Sequence, residues 1–220
     1  MKRVFIIPMF ISLLFAQNAD KNADNKNIIV KITDDMPYVM TTNSGQKIKI
    51  ERIQDTDNRL TDDYTKTSRA CPPFCIQPTK VADGVQNIEE IELLTFMKNE
   101  LPKGKGVIVD ARLKSWFELE TIPSAINIPF PIIEKASKKK AEKIFKILGM
   151  KVKPNGKWDF SKAKTIAVFD NGVWCEQAKH FINGMIEHGY PKDKLLYYRS
   201  GFQGWKLLGL TTVIHKEIKK

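Results

Sequence analysis

Histidine and cysteine are scarce in this chain, three of each in 220 residues. His180, His188 and His215 are not spaced as a zinc pair, so a metal centre has few ligands to draw on. No cofactor is implied by any motif. The two neighbouring cysteines, Cys71 and Cys75, are separated by three residues, one more than a thioredoxin-like redox motif allows. The lysines lack the interleaved arginines and aromatics of a nucleic-acid reader, so no nucleic-acid partner is expected. Long apolar runs are also missing beyond residue 15, which leaves no later stretch able to span a bilayer. No cysteine follows the first apolar run, so a lipoprotein anchor has no attachment point. There is no internal repeat.

What is present is an ordinary globular composition, 42% hydrophobic and 28% charged, long enough to bury one good core. Lys+Arg exceed Asp+Glu by 36 to 25, a net +11. A solvated, lysine-rich surface is the expectation; attraction of small anions or of an acidic membrane surface is the functional alternative. At the N-terminus, Lys2-Arg3 precede an apolar run from Val4 to Phe15, and a polar stretch follows Ala16. This pattern predicts a cleaved signal peptide over 1–16 and a periplasmic or otherwise exported protein with no membrane span. Leu14 stands where a small residue is preferred, so an uncleaved anchor in the inner membrane, facing the periplasm, is the alternative.

The remaining chain reads as a flexible lead-in (17–27), a small β-rich region with the Cys-Pro-Pro-Phe-Cys segment (28–85), and a longer unit (86–215) with a different grammar. In that unit, residues 87–101 predict one helix, with Ile88, Ile91, Leu94 and Leu101 near one face. Residues 131–148 predict a single amphipathic helix with a strongly basic face, and the following stretch to Ala163 a loop. Apolar strands are predicted near 107–110, 165–169 and 194–198. Strands alternating with helices give an α/β class with a mainly parallel sheet covered on both faces.

The stretch Thr165–Phe181 carries the chemistry. Its strand ends in Asp170-Asn171-Gly172, and a short loop of Val173, Trp174, Cys175 and Glu176 leads into a helix. That is the layout of an anion-holding loop at a helix N-terminus.

Three ordered segments resemble the rhodanese-like family. "VIVDARLKSWFELETIPSAINIPF" is similar to its first signature, "LLYYRSGFQGWKLLGLTTV" to its closing one, and the Asp170 loop lies between them. The resemblance implies a rhodanese-like fold over about 86–215 and sulfurtransferase chemistry. In that chemistry a cysteine thiolate takes sulfur from a donor and passes it on as a persulfide. It implies a small sulfur-containing anion or a protein thiol as partner. At the usual nucleophile position this chain has Asp170, which can accept the same N–H bonds, with an expected lowered pKa, but cannot become a persulfide. Some family members carry a second cysteine after Asn-Gly-x-Trp, and Cys175 retains it. The Cys-x5-Arg pattern of related phosphatases is missing, since Phe181 stands where the arginine would be.

Each candidate has two readings. Cys175 is either a relocated nucleophile or a small apolar residue packed under the loop, and Trp174 either covers the pocket mouth or belongs to the core. Asp110 and Arg112 line the pocket or fix the strand exit as a pair. Arg199, beside Ser200 and Gly201 at the pocket rim, draws an anionic donor or forms a structural salt bridge. His180 is read as exposed or packed rather than as a base. Cys71 and Cys75 lead as a local disulfide, with a bridge from either to Cys175 as the alternative. The function expected is a degenerate or weak sulfurtransferase-type module binding a small anion or a protein partner; the alternative is an active persulfide carrier using Cys175.

Overall fold

The computed structural model describes residues 27–215. The expected signal peptide and nearly all of the lead-in lie outside them. The first regular structure is a hairpin of β1 (Val39–Asn43) and β2 (Gln46–Ile50). Ser44 and Gly45 turn it with φ of 49° and 85°, the left-handed pair that a two-residue hairpin needs. Val39 and Ile50 point into the main core, so the hairpin is packed onto the larger unit. Residues 28–33 form no strand. From Ile53 to Val85 the chain runs without strands, with one 3-10 turn, Asp63–Thr65, capped by the Asp62 side chain.

The larger unit begins with β3 (Gln86–Ile88), α1 (Glu90–Asn99), β4 (Gly106–Asp110), α2 (Lys114–Leu119), β5 (Glu120–Thr121) and β6 (Ala125–Asn127). Then come α3 (Pro131–Glu134), α4 (Lys138–Ile147), β7 (Lys151–Val152), β8 (Trp158–Asp159) and β9 (Thr165–Phe169). It closes with α5 (Gln177–Glu187), β10 (Leu195–Tyr198), α6 (Gly201–Leu207) and β11 (Val213–Ile214). A five-stranded sheet has the order β3-β10-β9-β4-β6, all neighbours parallel.

The central strand explains the layering. In β9, Ile166 and Val168 join a core with Phe145, Phe181, Ile182 and Met185, while Ala167 and Phe169 join another with Leu93, Leu94, Tyr198 and Trp205. A strand buried on both faces reads as an unbroken apolar run, so the shortness of Thr165–Phe169 and the Asp-Asn-Gly turn signal after it, rather than any alternation, predicted it. Each such buried aliphatic side chain stabilises the fold by about 1.5–3 kcal/mol.

Two helical predictions needed correction. Residues 86–88 pair with β10 and are strand, so α1 starts at Glu90, and the Glu89 N–H is capped by Glu92. Its buried residues are Leu93, Leu94, Phe96 and Met97, and Ile91 is exposed. The predicted helix over 131–148 is two helices. Ser137 accepts the Lys140 N–H and starts α4 afresh, an N-cap that outweighs continuation of α3. α3 seats on Gly184 of α5, where an added Cβ would stand 3.0 Å from the Glu134 backbone. The predicted loop after α4 contains the short β7–β8 hairpin, whose Trp158 and following Phe160 pack on Phe145.

Candidate functional site

At the C-terminal end of β9 the chain turns inward. Asp170 and Asn171 are fully buried. The Asp170 carboxylate accepts the Gly172 N–H at 3.1 Å and the Ala178 N–H, in the first turn of α5, at 2.8 Å. Its backbone carbonyl accepts the Phe202 N–H at 2.8 Å, and that of Asn171 accepts the Gln203 N–H at 3.0 Å. Gly201, at φ 59°, permits this approach: a Cβ there would lie 2.6 Å from the Asp170 oxygen and the Gly172 nitrogen. The loop after β9 and the start of α6 are thereby locked together.

The expected lowering of the Asp170 pKa is not found. Burial pushes it up to about 7, and the charge of Asp110 adds to this; the two N–H bonds pull the other way and lose. The Cys175 thiol is likewise not activated. It is 2% exposed, stands ahead of the helix start at Gln177, and is pushed up to about 12 by burial and by Asp170. Asn171 Nδ2 lies 3.6 Å from its sulfur. Cys175 is the free cysteine, and Cys71 and Cys75 are joined as a disulfide with Cα atoms 4.6 Å apart.

Asp110 and Arg112 are completely buried behind the loop. Arg112 Nε and Nη2 reach the two Asp110 oxygens at 2.9 and 2.7 Å, and Nη2 also donates to the Glu120 carbonyl at 2.7 Å. The guanidinium lies over the Phe202 ring at 4.4 Å. Thr121 Oγ1 donates to the same carboxylate at 2.8 Å. This bidentate pair fixes the exit of β4 and does not line an opening.

Residues 58–78 form a strap across the mouth. Tyr64 donates its hydroxyl to Asn171 Oδ1 at 2.9 Å and accepts Arg112 Nη1 at 3.0 Å. The Gln77 N–H reaches the Val173 carbonyl at 2.8 Å. Arg199 donates to the Gln77 carbonyl at 2.8 Å and so grips the strap rather than facing an anion. Gln203 ties the Tyr64 carbonyl at 2.8 Å and the Trp174 indole N–H at 2.6 Å. Phe74, inside the disulfide loop, meets Trp174 edge-on at 5.5 Å, and Arg69 stacks on the same indole at 4.0 Å. Ser200 Oγ donates to Glu89 at 2.5 Å. Glu176 and Glu134 both flank His180, at 3.7 and 2.6 Å. Beside the strap lies an open groove of about 560 Å³, with Arg59, Tyr64, Lys66, Trp174 and Gln203 on its walls.

The structure thus gathers the 170–176 loop, Asp110, Arg112, Arg199 and Ser200 at one end of the sheet. Tyr64, Arg69, Gln77 and Gln203 were missed from the sequence. They lie far from the loop in the chain or carry ordinary side chains, and the rigid Cys-Pro-Pro-Phe-Cys turn is the one local mark pointing toward them.

A rhodanese-like domain model matches residues 94–208. The chain belongs to the rhodanese-like family. The Pseudomonas aeruginosa thiosulfate sulfurtransferase is 16% identical over 60% of this chain, with a TM-score of 0.41; the match spans only 21% of that enzyme's length. A human single-domain sulfurtransferase is 16% identical, covering 56% of this chain and 96% of its own, TM-score 0.39. An As-Sb reductase from Leishmania major is 18% identical, covering 57% and 79%, TM-score 0.39. No curated protein matches the chain. Among the described residues no group of His, Cys, Asp or Glu is arranged to hold a metal ion.

Proposed function

We propose that this protein is an exported rhodanese-like module with a degenerate sulfur-transfer site, which binds a small anion or a protein partner rather than turning over a sulfur donor. One observation carries this reading: the Asp170 carboxylate occupies the inward N–H groups where a family nucleophile would hold negative charge. A carboxylate there cannot form a persulfide. Asp170 is fully buried, and Tyr64 on Asn171 and Gln77 on Val173 hold the loop around it closed, against entry of the sulfonate of thiosulfate. Binding falls instead to the groove beside the strap, where Arg59 and Lys66 favour an anion or an acidic segment of a partner. Export follows from the Lys-Arg and apolar pattern at the N-terminus.

A second reading keeps Cys175 as the sulfur-accepting thiol, favoured by its place in the same loop beside Asn171. Its thiolate would attack the outer sulfur of thiosulfate, break the S–S bond, release sulfite and hold the sulfur as a persulfide. The raised thiol pKa opposes this.

Intact mass after incubation with thiosulfate separates the two. The native protein should gain no sulfur atom and show no transfer to cyanide. Asp170→Cys, with the strap loosened by Cys71→Ser and Cys75→Ser, should gain one sulfur and acquire measurable transfer. Native persulfide formation that disappears in Cys175→Ala would overturn the proposal.

A further inference from the structure

The lysine excess predicts a solvated, lysine-rich surface, but the positive charge is concentrated. Residues 135–164 hold eleven of the chain's 36 basic residues and two of its 25 acidic ones, so this stretch alone carries a net +9 of the chain's +11. Every one of the eleven is lysine. The fold collects them at one end of the sheet. α4 and the β7–β8 hairpin both precede β9, and the Lys164 N–H donates to the Leu148 carbonyl at 2.8 Å, folding the hairpin back beneath the strand starts. Lys105 and Lys194 stand immediately before β4 and β10, so they extend the same end. His188, past the end of α5, shares a surface groove with Lys138 and Lys157, with Glu187 the one acidic residue on its wall. The other end of α5 holds Asp170, so the basic end lies opposite the strap.

Ten of the eleven lysines are exposed. The two acidic residues are each engaged with one lysine: Glu142 with Lys146 at 2.7 Å, Asp159 with Lys153 at 4.0 Å. Most of the field therefore faces solvent uncompensated. Among these charges stand two exposed aliphatic side chains, Ile147 at 77% and Val152 at 40% exposure. α4 buries Ala141 and Phe145, which turns Ile147 outward.

We propose that this end docks the protein on a bilayer surface bearing anionic headgroups, a role separate from the loop after β9. Lysine ammonium groups are point charges suited to a diffuse array of phosphates, whereas one fixed carboxylate or phosphate calls for an arginine fork that this stretch lacks. Trp158 and Phe160 are half-buried and held edge-on against Phe145 and Tyr190, so this end lacks the row of exposed aromatic faces on which successive bases of a single strand stack. Ile147 and Val152 are side chains that an interfacial acyl layer takes up and a soluble polyanion does not. Docked this way, the protein presents its strap and the Trp174 groove away from the membrane.

The test is sedimentation of the full chain with vesicles of phosphatidylcholine, with and without phosphatidylglycerol. Binding should require the anionic lipid and weaken at least about tenfold when salt is raised from about 0.1 to 0.5 M. Lys139→Glu, Lys143→Glu and Lys146→Glu together should weaken binding about tenfold or more. A control with the same charge change at the exposed Lys31, Lys47 and Lys114, outside both this end and the groove beside the strap, should stay within about twofold. Glutamine at the same three α4 positions should repeat the loss in smaller degree, which covers the case that charge reversal unfolds the helix. Equal binding to neutral vesicles, an equal loss in the control, or tighter binding to soluble polyaspartate or duplex DNA than to vesicles would overturn the proposal.

Discussion

Two aspartates close adjacent parallel strands of the central sheet, and their surroundings could hardly differ more. Asp110 ends β4 with a guanidinium clamped on both oxygens, a threonine hydroxyl and a backbone N–H from Arg112 at 3.0 Å. Asp170 follows β9 with two backbone N–H bonds and no cation. Both are fully buried. The first arrangement fixes structure, because a buried charge with its counter-ion and satisfied hydrogen bonds holds one geometry. The second leaves a carboxyl group balanced between its protonated and ionised forms near neutral pH. The difference teaches that N–H donors alone do not replace a counter-charge in a desolvated site.

The comparison breaks most severely at the pair. Arg112→Met should cost about 3–5 kcal/mol, because it leaves the Asp110 carboxylate buried without its cation. Urea unfolding at pH 7 measures this; a loss below about 1 kcal/mol would mean that the two aspartates are equivalent after all.

Asp170 gives the next effect, and its sign follows from linkage. Its folded-state pKa is raised, so between about pH 4 and 7 the folded protein keeps a proton that the unfolded chain has released. The stability from this proton is fully present below the unfolded pKa, falls as pH rises through the window, and is gone above about 7, a span of at most about 4 kcal/mol. Asp170→Asn removes the ionisation. It should be more stable than the native protein at pH 8 by about 2 kcal/mol, with the advantage vanishing near pH 4. Unfolding curves across that range check it, and a pH-independent difference would contradict the raised pKa.

The smallest effect on stability sharpens the contrast by opening one side. The strap covers the end of β9 and is stapled by a short disulfide loop. Cys71→Ser with Cys75→Ser should cost about 2 kcal/mol or less, since a short closed loop removes little unfolded-state entropy. Cys175 then remains as the single cysteine and should react with a maleimide at pH 8 at least about tenfold faster than in the native protein. An unchanged rate would show that the loop itself, and not the strap, shields the thiol.

Much of the fold was legible because its strands are short apolar runs bounded by turn residues. β4, β9 and β10 fell where the runs at 107–110, 165–169 and 194–198 placed them. β3 was not legible: Gln86-Asn87-Ile88 has no strand pattern and is strand because β10 offers it an edge to pair with. The break between α3 and α4 was missed for a related reason. Ser137 is an N-cap signal that a long amphipathic pattern concealed until α3 seated on Gly184.

The sequence by itself determined the family, through three ordered segments, and the chemical identity of the residue at the end of β9. An aspartate cannot carry sulfur wherever it is placed. It also determined that residues 135–164 are overwhelmingly cationic. Only the tertiary structure decided the ionisation of Asp170 and Cys175. A pKa is set by desolvation and by neighbours, and these come from α5, β4 and a strap far away in the chain. The structure also joined Tyr64 to Asn171 across 107 residues and gathered the lysines at one end of the sheet, since spatial proximity between distant segments is fixed by packing and leaves no local mark in the chain.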